Sequence, residues 1–120
     1  MAANIGPKRL VVGAHYGLRD WLAQRVTAVV MAAYAIVVGL YAIFALPAGY
    51  DAWAGLFAPL WMKVATLVAI VALIYHVWVG MREIFMDYVK PTWIRLFAYV
   101  LTILWLAACA VWSVQILWRV

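Results

Sequence analysis

Three long apolar runs decide in which solvent this chain can fold. They extend from Val26 to Leu46, from about Leu60 to Met81 and from Leu96 to Trp118, and their only Lys, Arg, His, Asp or Glu residues are Lys63 and His76. Each run is long enough for a helix that crosses a bilayer, which takes about 20 residues. Because an open strand leaves its backbone polar groups unpaired in lipid, each run is predicted to be helical. The sequence therefore predicts an all-α integral membrane protein with three transmembrane helices.

Composition excludes a soluble domain of this size. Hydrophobic residues make up 72% of the 120 residues and charged residues 11%, whereas soluble domains have roughly 45–50% and about 25%. A short soluble chain cannot hide that much apolar surface in a core. The net charge of +5 does not indicate nucleic-acid binding, because nearly all basic residues lie outside the apolar runs. The single cysteine, Cys109, excludes an iron–sulfur cluster held by this chain alone.

Proline and glycine residues divide the chain into one small segment and one domain. Pro47 and Gly49 follow the first run, Pro59 opens the second and Pro91 separates the second from the third. We expect an N-terminal cytoplasmic or interfacial segment over residues 1–25. The three-helix transmembrane anchor domain is expected over residues 26–118, with helices at about 26–46, 60–82 and 93–118.

The basic residues predict the orientation of the helices. Seven of them lie before the first run or between the second and third, and two lie on the opposite side. Basic residues are enriched in cytoplasmic loops, so the N-terminus is predicted to be cytoplasmic and the C-terminus periplasmic. The seven are Lys8, Arg9, Arg19, Arg25, Arg82, Lys90 and Arg95, and the two are Lys63 and Arg119.

His76 is the first candidate for chemistry, because an ionisable residue inside a membrane helix is costly without a partner. It lies six residues before Arg82, or roughly 9 Å along a helix, and every large apolar residue is kept off its helical face. Such a face admits a flat ligand or a neighbouring helix. His76 is therefore either a haem-iron ligand, with Gly80 leaving room for the macrocycle, or a histidine hydrogen-bonded across a helix interface. The other members of the face are Ala65, Ala69, Ala72, Glu83 and Asp87.

A haem would need a second axial ligand from a partner subunit, because His15, the other histidine, precedes the first helix. Arg25 stands at the mouth of that helix, as a partner for a haem propionate or as an arginine among lipid headgroups. Asp87 and Tyr88 lie just past the end of the second helix. They suit a quinone site, in which the phenol donates a hydrogen bond, or are ordinary interfacial residues.

These residues resemble those of a known family. The chain looks like the small hydrophobic membrane anchor of succinate dehydrogenase, the D-type subunit in its haem-b-containing form. The first helix carries the resemblance at Asp20, Arg25, Thr27 and Ala28. The specific part is the second-helix segment with His76, Trp78, Gly80 and Met81, followed by Asp87, Tyr88, Lys90 and Pro91.

The resemblance implies a respiratory complex of four subunits. The absence of a recognisable transit peptide favours a bacterial inner membrane over a mitochondrial one. A flavoprotein subunit and an iron–sulfur subunit would oxidise succinate, and a cytochrome b556-type anchor subunit, C, would share the haem b and supply its second ligand. This chain would be non-catalytic, held in membrane lipid without nucleic acid, and would pass electrons to bound ubiquinone.

The resemblance also implies a role for each site residue. His76 would be the axial ligand of the haem iron, Arg25 a propionate contact and Gly80 a haem-packing residue. Tyr88 would donate a hydrogen bond to the quinone, supported by Asp87. Some relatives have a histidine where this chain has Arg19. The alternatives are a haem-free fumarate reductase anchor and a small structural or transport subunit, although the three runs contain no Asp or Glu for a transporter.

Overall fold

The computed structural model describes the backbone of residues 12–120 and the side chains of residues 17–120. This part of the chain consists of helices joined by short connections and contains no strands. It forms helix α1 (Val12–Phe44), a short helix α2 (Tyr50–Phe57), helix α3 (Leu60–Tyr88) and helix α4 (Thr92–Arg119). The three long helices are each apolar and long enough to cross a membrane. The predicted all-α architecture with three membrane-spanning helices is therefore confirmed for residues 12–120.

The long helices extend beyond the apolar runs at one end of the molecule. Helix α1 already begins at Val12 rather than near Val26, and α3 continues past Arg82 to Tyr88. Charged residues in these extensions are compatible with a helix, because helical hydrogen bonds do not end where the hydrocarbon region ends. Prolines set the other boundaries: Pro59 and Pro91 are extended residues that directly precede α3 and α4.

The short helix α2 is the element that hydrophobic periodicity did not predict. Gly49 precedes it with a φ of 113°, a conformation that favours glycine. Asp51 lies in the first turn of α2, where a carboxylate is favourable at the positive end of the helix dipole. The rings of Trp53 and Phe57 meet edge to face, with centroids 5.1 Å apart. Helix α2 thus lies in the connection between α1 and α3, where the rings of Trp53 and Phe57 pack against each other.

Helix α3 lies between α1 and α4 and packs antiparallel to both. Arg82, near its end, meets α1 at Asp20. Towards α4, Trp78 makes an edge contact with the ring of Tyr99, at 5.8 Å between centroids. At the opposite end, the ammonium of Lys63 lies over the ring of Trp118 on α4. We call these ends of the bundle the Arg82 end and the Lys63 end.

The three helices enclose only a small apolar core. Val79 of α3 is the most deeply buried large side chain in the described part, at 1% exposure. The other buried apolar residues are Met62, Ala69, Ala72 and Leu117. Most large apolar side chains remain on the outside of the bundle, where lipid or other subunits can cover them.

The orientation predicted from the basic residues is testable by labelling cysteines with a membrane-impermeant maleimide. In a Cys109→Ser background, we expect Ala48→Cys at the Lys63 end to react in intact spheroplasts. Lys90→Cys at the Arg82 end is the matched control, and it should stay unlabelled until the membrane is opened. Reaction of Lys90→Cys without opening, together with protection of Ala48→Cys, would show the reverse orientation.

Candidate functional site

His76 is half-buried on α3 and makes a hydrogen bond to the facing helix α1. Its Nδ1 atom lies 3.0 Å from the hydroxyl oxygen of Thr27. The same hydroxyl lies 2.6 Å from the backbone oxygen of Ala23 and 3.3 Å from that of Gln24. A hydrogen bond thus links one ring nitrogen of His76 to helix α1 of the same chain.

The second ring nitrogen of His76, Nε2, differs from the first. Among the residues that the structure describes, none hydrogen-bonds Nε2, and Nε2 is not one of the fully buried polar atoms. It therefore reaches the surface of this chain.

The small-residue face around His76 is where α1 approaches α3. Ala69 and Ala72 are buried there. A Cβ atom added to Gly80 would lie 3.6 Å from the side-chain nitrogen of Gln24 on α1. Of the two occupants that the sequence allowed for this face, the structure shows a neighbouring helix. The interpretation of Gly80 as a haem-packing residue stays a prediction.

A stripe of polar residues on α1 faces α3, and the sequence analysis missed it. Its members at intervals of seven residues are Asp20, Thr27 and Tyr34. Asp20 forms an ion pair with Arg82, and the hydroxyl of Tyr34 lies 2.6 Å from that of Thr66. Residues seven apart share one side of a helix, so this spacing was the signal that would have predicted the contact surface.

Gln24 belongs to the same stripe, between Asp20 and Thr27. Its side-chain oxygen is buried and has no hydrogen-bond partner among the described residues. A buried acceptor of this kind is costly in an apolar surrounding. Its position beside Gly80 places an unused acceptor one turn of α1 from the Thr27–His76 hydrogen bond.

Arg25 lies outside the polar stripe. It is exposed, and its guanidinium lies over the ring of Trp21, 5.3 Å from the centroid, one turn earlier on α1. The structure therefore places Arg25 beside its own helix and does not bring it together with His76. Its role as a propionate contact stays a prediction. His15 lies within α1 and not before it as predicted, because α1 begins at Val12, and its side chain lies outside the described residues.

Asp87 and Tyr88 form the last turn of α3, and α3 is longer than the sequence predicted. Both side chains are exposed, and Tyr88 is 79% exposed. They follow His76 by about three turns, or roughly 18 Å along the helix axis. The candidate quinone residues and the candidate haem ligand thus occupy two levels of one helix, towards the Arg82 end.

The sequence was compared with known proteins. Residues 1–114 match the family described as succinate dehydrogenase/fumarate reductase transmembrane subunit. The chain is also 41% identical, over 102 residues, to a protein of Coxiella burnetii (strain RSA 493 / Nine Mile phase I) named succinate dehydrogenase hydrophobic membrane anchor subunit. That match covers 85% of this chain and 89% of the relative.

The ion pair between Asp20 and Arg82 should stabilise the junction of α1 and α3. Its side chains are 27% and 32% exposed, so solvent screens the pair and we expect a contribution on the order of 1 kcal/mol. Arg82→Gln should lower the temperature at which the purified complex dissociates. Lys90→Gln removes the same charge from an exposed residue in the adjacent connection. Equal effects of the two changes would mean that net charge, not the pair, matters.

Proposed function

Because the chain belongs to the family of succinate dehydrogenase/fumarate reductase transmembrane subunits, we propose that it anchors a succinate dehydrogenase in a bacterial inner membrane. In this proposal the chain supplies one axial ligand of a haem b and part of a ubiquinone site. Succinate oxidation takes place in the partner flavoprotein and iron–sulfur subunits. The anchor is not a catalyst on its own, and it lets electrons reach the quinone.

The observation that carries the haem proposal is the asymmetry of the His76 ring. Nδ1 is hydrogen-bonded inside the chain, whereas Nε2 lies at the chain surface without a partner among the described residues. Metal-bound histidines have this arrangement, with one nitrogen on the metal and the other donating to an oxygen. The residues present therefore fit a haem iron bound at Nε2 of His76.

The other residues of the chain have supporting roles in this proposal. When bound, the haem would supply one-electron redox chemistry, and a second anchor subunit, C, would supply the other ligand of the iron. Arg25, at the Arg82 end of α1, is close to water and headgroups, where it can neutralise a propionate. Gly80, one turn from His76, would leave room for the macrocycle; on the side of α1, a Cβ there would make only an ordinary contact with Gln24, at 3.6 Å.

Tyr88 and Asp87 carry the quinone part of the proposal. A quinone carbonyl accepts a hydrogen bond and takes up protons on reduction, which requires a donor at the site. The Tyr88 phenol is such a donor, and its 79% exposure leaves the ring open to a ligand or a partner subunit. The Asp87 carboxylate, next to it in the last turn of α3, can orient the phenol or relay protons.

The haem-ligand proposal is tested by the spectrum of the purified complex. We expect His76→Leu to abolish or strongly alter the reduced-minus-oxidised b-haem absorbance, because leucine has no lone pair for iron. His15→Leu makes the same change in the other histidine, and it should keep a six-coordinate haem spectrum. A complex with His76→Leu and an unchanged spectrum would rule out His76 as a ligand.

The quinone proposal is tested by comparing two electron acceptors. Tyr88→Phe should lower the rate of ubiquinone reduction about 100-fold, which is the lower end of the range for loss of a proton-transfer group. Succinate oxidation with a soluble artificial acceptor should stay near the wild-type rate. Tyr50→Phe is the matched control, because Tyr50 is 75% exposed at the Lys63 end. Equal losses with both acceptors would exclude a quinone role for Tyr88.

The related alternative is a haem-free fumarate reductase anchor, since the matched family includes such subunits by its description. The two functions differ in one measurable property. A haem-free anchor gives a complex without b-type absorbance, whereas the proposed function predicts one haem b in each complex. Nε2 of His76 has no hydrogen-bond partner among the described residues, which favours the haem-containing anchor.

A further inference from the structure

We infer that Thr27 is a positioning residue for the haem ligand, which holds the His76 ring with its proton on Nδ1 and thereby keeps Nε2 available to iron. This inference rests on the proposed function, because it concerns the same ligand. It gives a role to Thr27 of α1, which the family resemblance named only as part of the first-helix motif. The Thr27 side chain has no contact with the haem in this proposal and acts through His76.

The direction of the Thr27–His76 hydrogen bond follows from counting protons. A threonine hydroxyl has one proton to donate and two lone pairs. The backbone oxygen of Ala23, at 2.6 Å, is the nearest acceptor, and such a bond to the preceding turn is usual for threonine in a helix. With its proton committed to Ala23, Thr27 can only accept from His76. The ring proton therefore sits on Nδ1, and the lone pair sits on Nε2.

The Thr27 hydroxyl is held rigidly, which makes it suitable for setting the orientation of a ring. Its side chain is β-branched, so few rotamers are open to it in a helix. Its hydroxyl is tied to the backbone of its own helix. Helix α1 is in turn fixed to α3 by the Asp20–Arg82 pair before Thr27 and the Tyr34–Thr66 hydrogen bond after it. Rotation of the His76 ring would therefore break the hydrogen bond, because the Thr27 oxygen cannot move with the ring.

This hydrogen bond should affect both the retention and the potential of the haem. A hydrogen bond from Nδ1–H to an oxygen raises the basicity of a ligating imidazole, and loss of such a partner typically weakens metal binding by 10–100-fold. A more basic ligand favours ferric over ferrous iron. If loss of the bond reduces that preference tenfold, the midpoint potential rises by about 59 mV for a one-electron couple.

The test uses the assembled complex and measurements that do not depend on turnover. Thr27→Val keeps the shape and the β-branch but removes the acceptor, whereas Thr27→Ser keeps the hydroxyl. We expect the valine variant to lose haem to apomyoglobin at least tenfold faster and to have a higher haem midpoint potential. The serine variant should stay near wild type in both measurements. Should the valine variant fail to assemble, Thr27→Ala removes the same acceptor and carries the same expectation.

Gln24→Met is the matched control for packing in the same interface. It replaces a polar side chain one turn of α1 away whose oxygen has no hydrogen-bond partner in the described part of the chain, so haem retention and potential should stay unchanged. Equal shifts in Gln24→Met and Thr27→Val would overturn the inference, because helix packing would then be the cause. Wild-type haem properties in the valine variant would also overturn it.

The two proposals fail in distinguishable ways. If His76→Leu retains a normal b-haem, the proposed function fails, whatever the Thr27 variants show. If His76→Leu loses the haem while Thr27→Val matches wild type, His76 is the ligand and only the role of Thr27 is wrong.

Discussion

The contact between α1 and α3 is the interaction on which the rest of this structure depends. In lipid the hydrophobic effect does not drive helices together, so close packing and cross-helix polar contacts have to do so. Both are concentrated here. Ala69 and Ala72 are buried on α3, and the polar stripe of α1 reaches across at Asp20, Thr27 and Tyr34. The site residue His76 is one of the groups that hold the two helices together.

The remaining apolar surface of the chain is available for contacts with other molecules. Its exposed large side chains include Val29, Ile36 and Val37 on α1 and Leu101, Trp105 and Trp112 on α4. Within the described residues, α3 packs against α1, α4 and the short helix α2. The outer faces of α1 and α4 are apolar and exposed, which suits a membrane anchor whose outer surface is covered by other subunits and by lipid.

The sequence predicted the membrane spans well because they depend on one local property, the absence of charge over about 20 residues. It predicted helix ends less well, because α1 and α3 continue through Arg25 and Arg82 where charge is tolerated outside the hydrocarbon. It singled out His76 as a candidate ligand, whereas Thr27 was named only as part of the family resemblance. A threonine is common in membrane helices, and its partner can be known only when the register between α1 and α3 is known. To decide whether a flat ligand or a neighbouring helix covers the small-residue face, the register between α1 and α3 also had to be known.

The structure shows that these two interpretations are not exclusive. One treated His76 as a haem ligand and the other as a histidine hydrogen-bonded across a helix interface. An imidazole has two nitrogens, and the cross-helix bond uses only Nδ1. In the inferred tautomer, Thr27 accepts a hydrogen bond from Nδ1–H and the lone pair lies on Nε2, to which no described residue hydrogen-bonds. The hydrogen bond that explains His76 as a packing residue is therefore compatible with the proposed ligand at the other nitrogen of the ring.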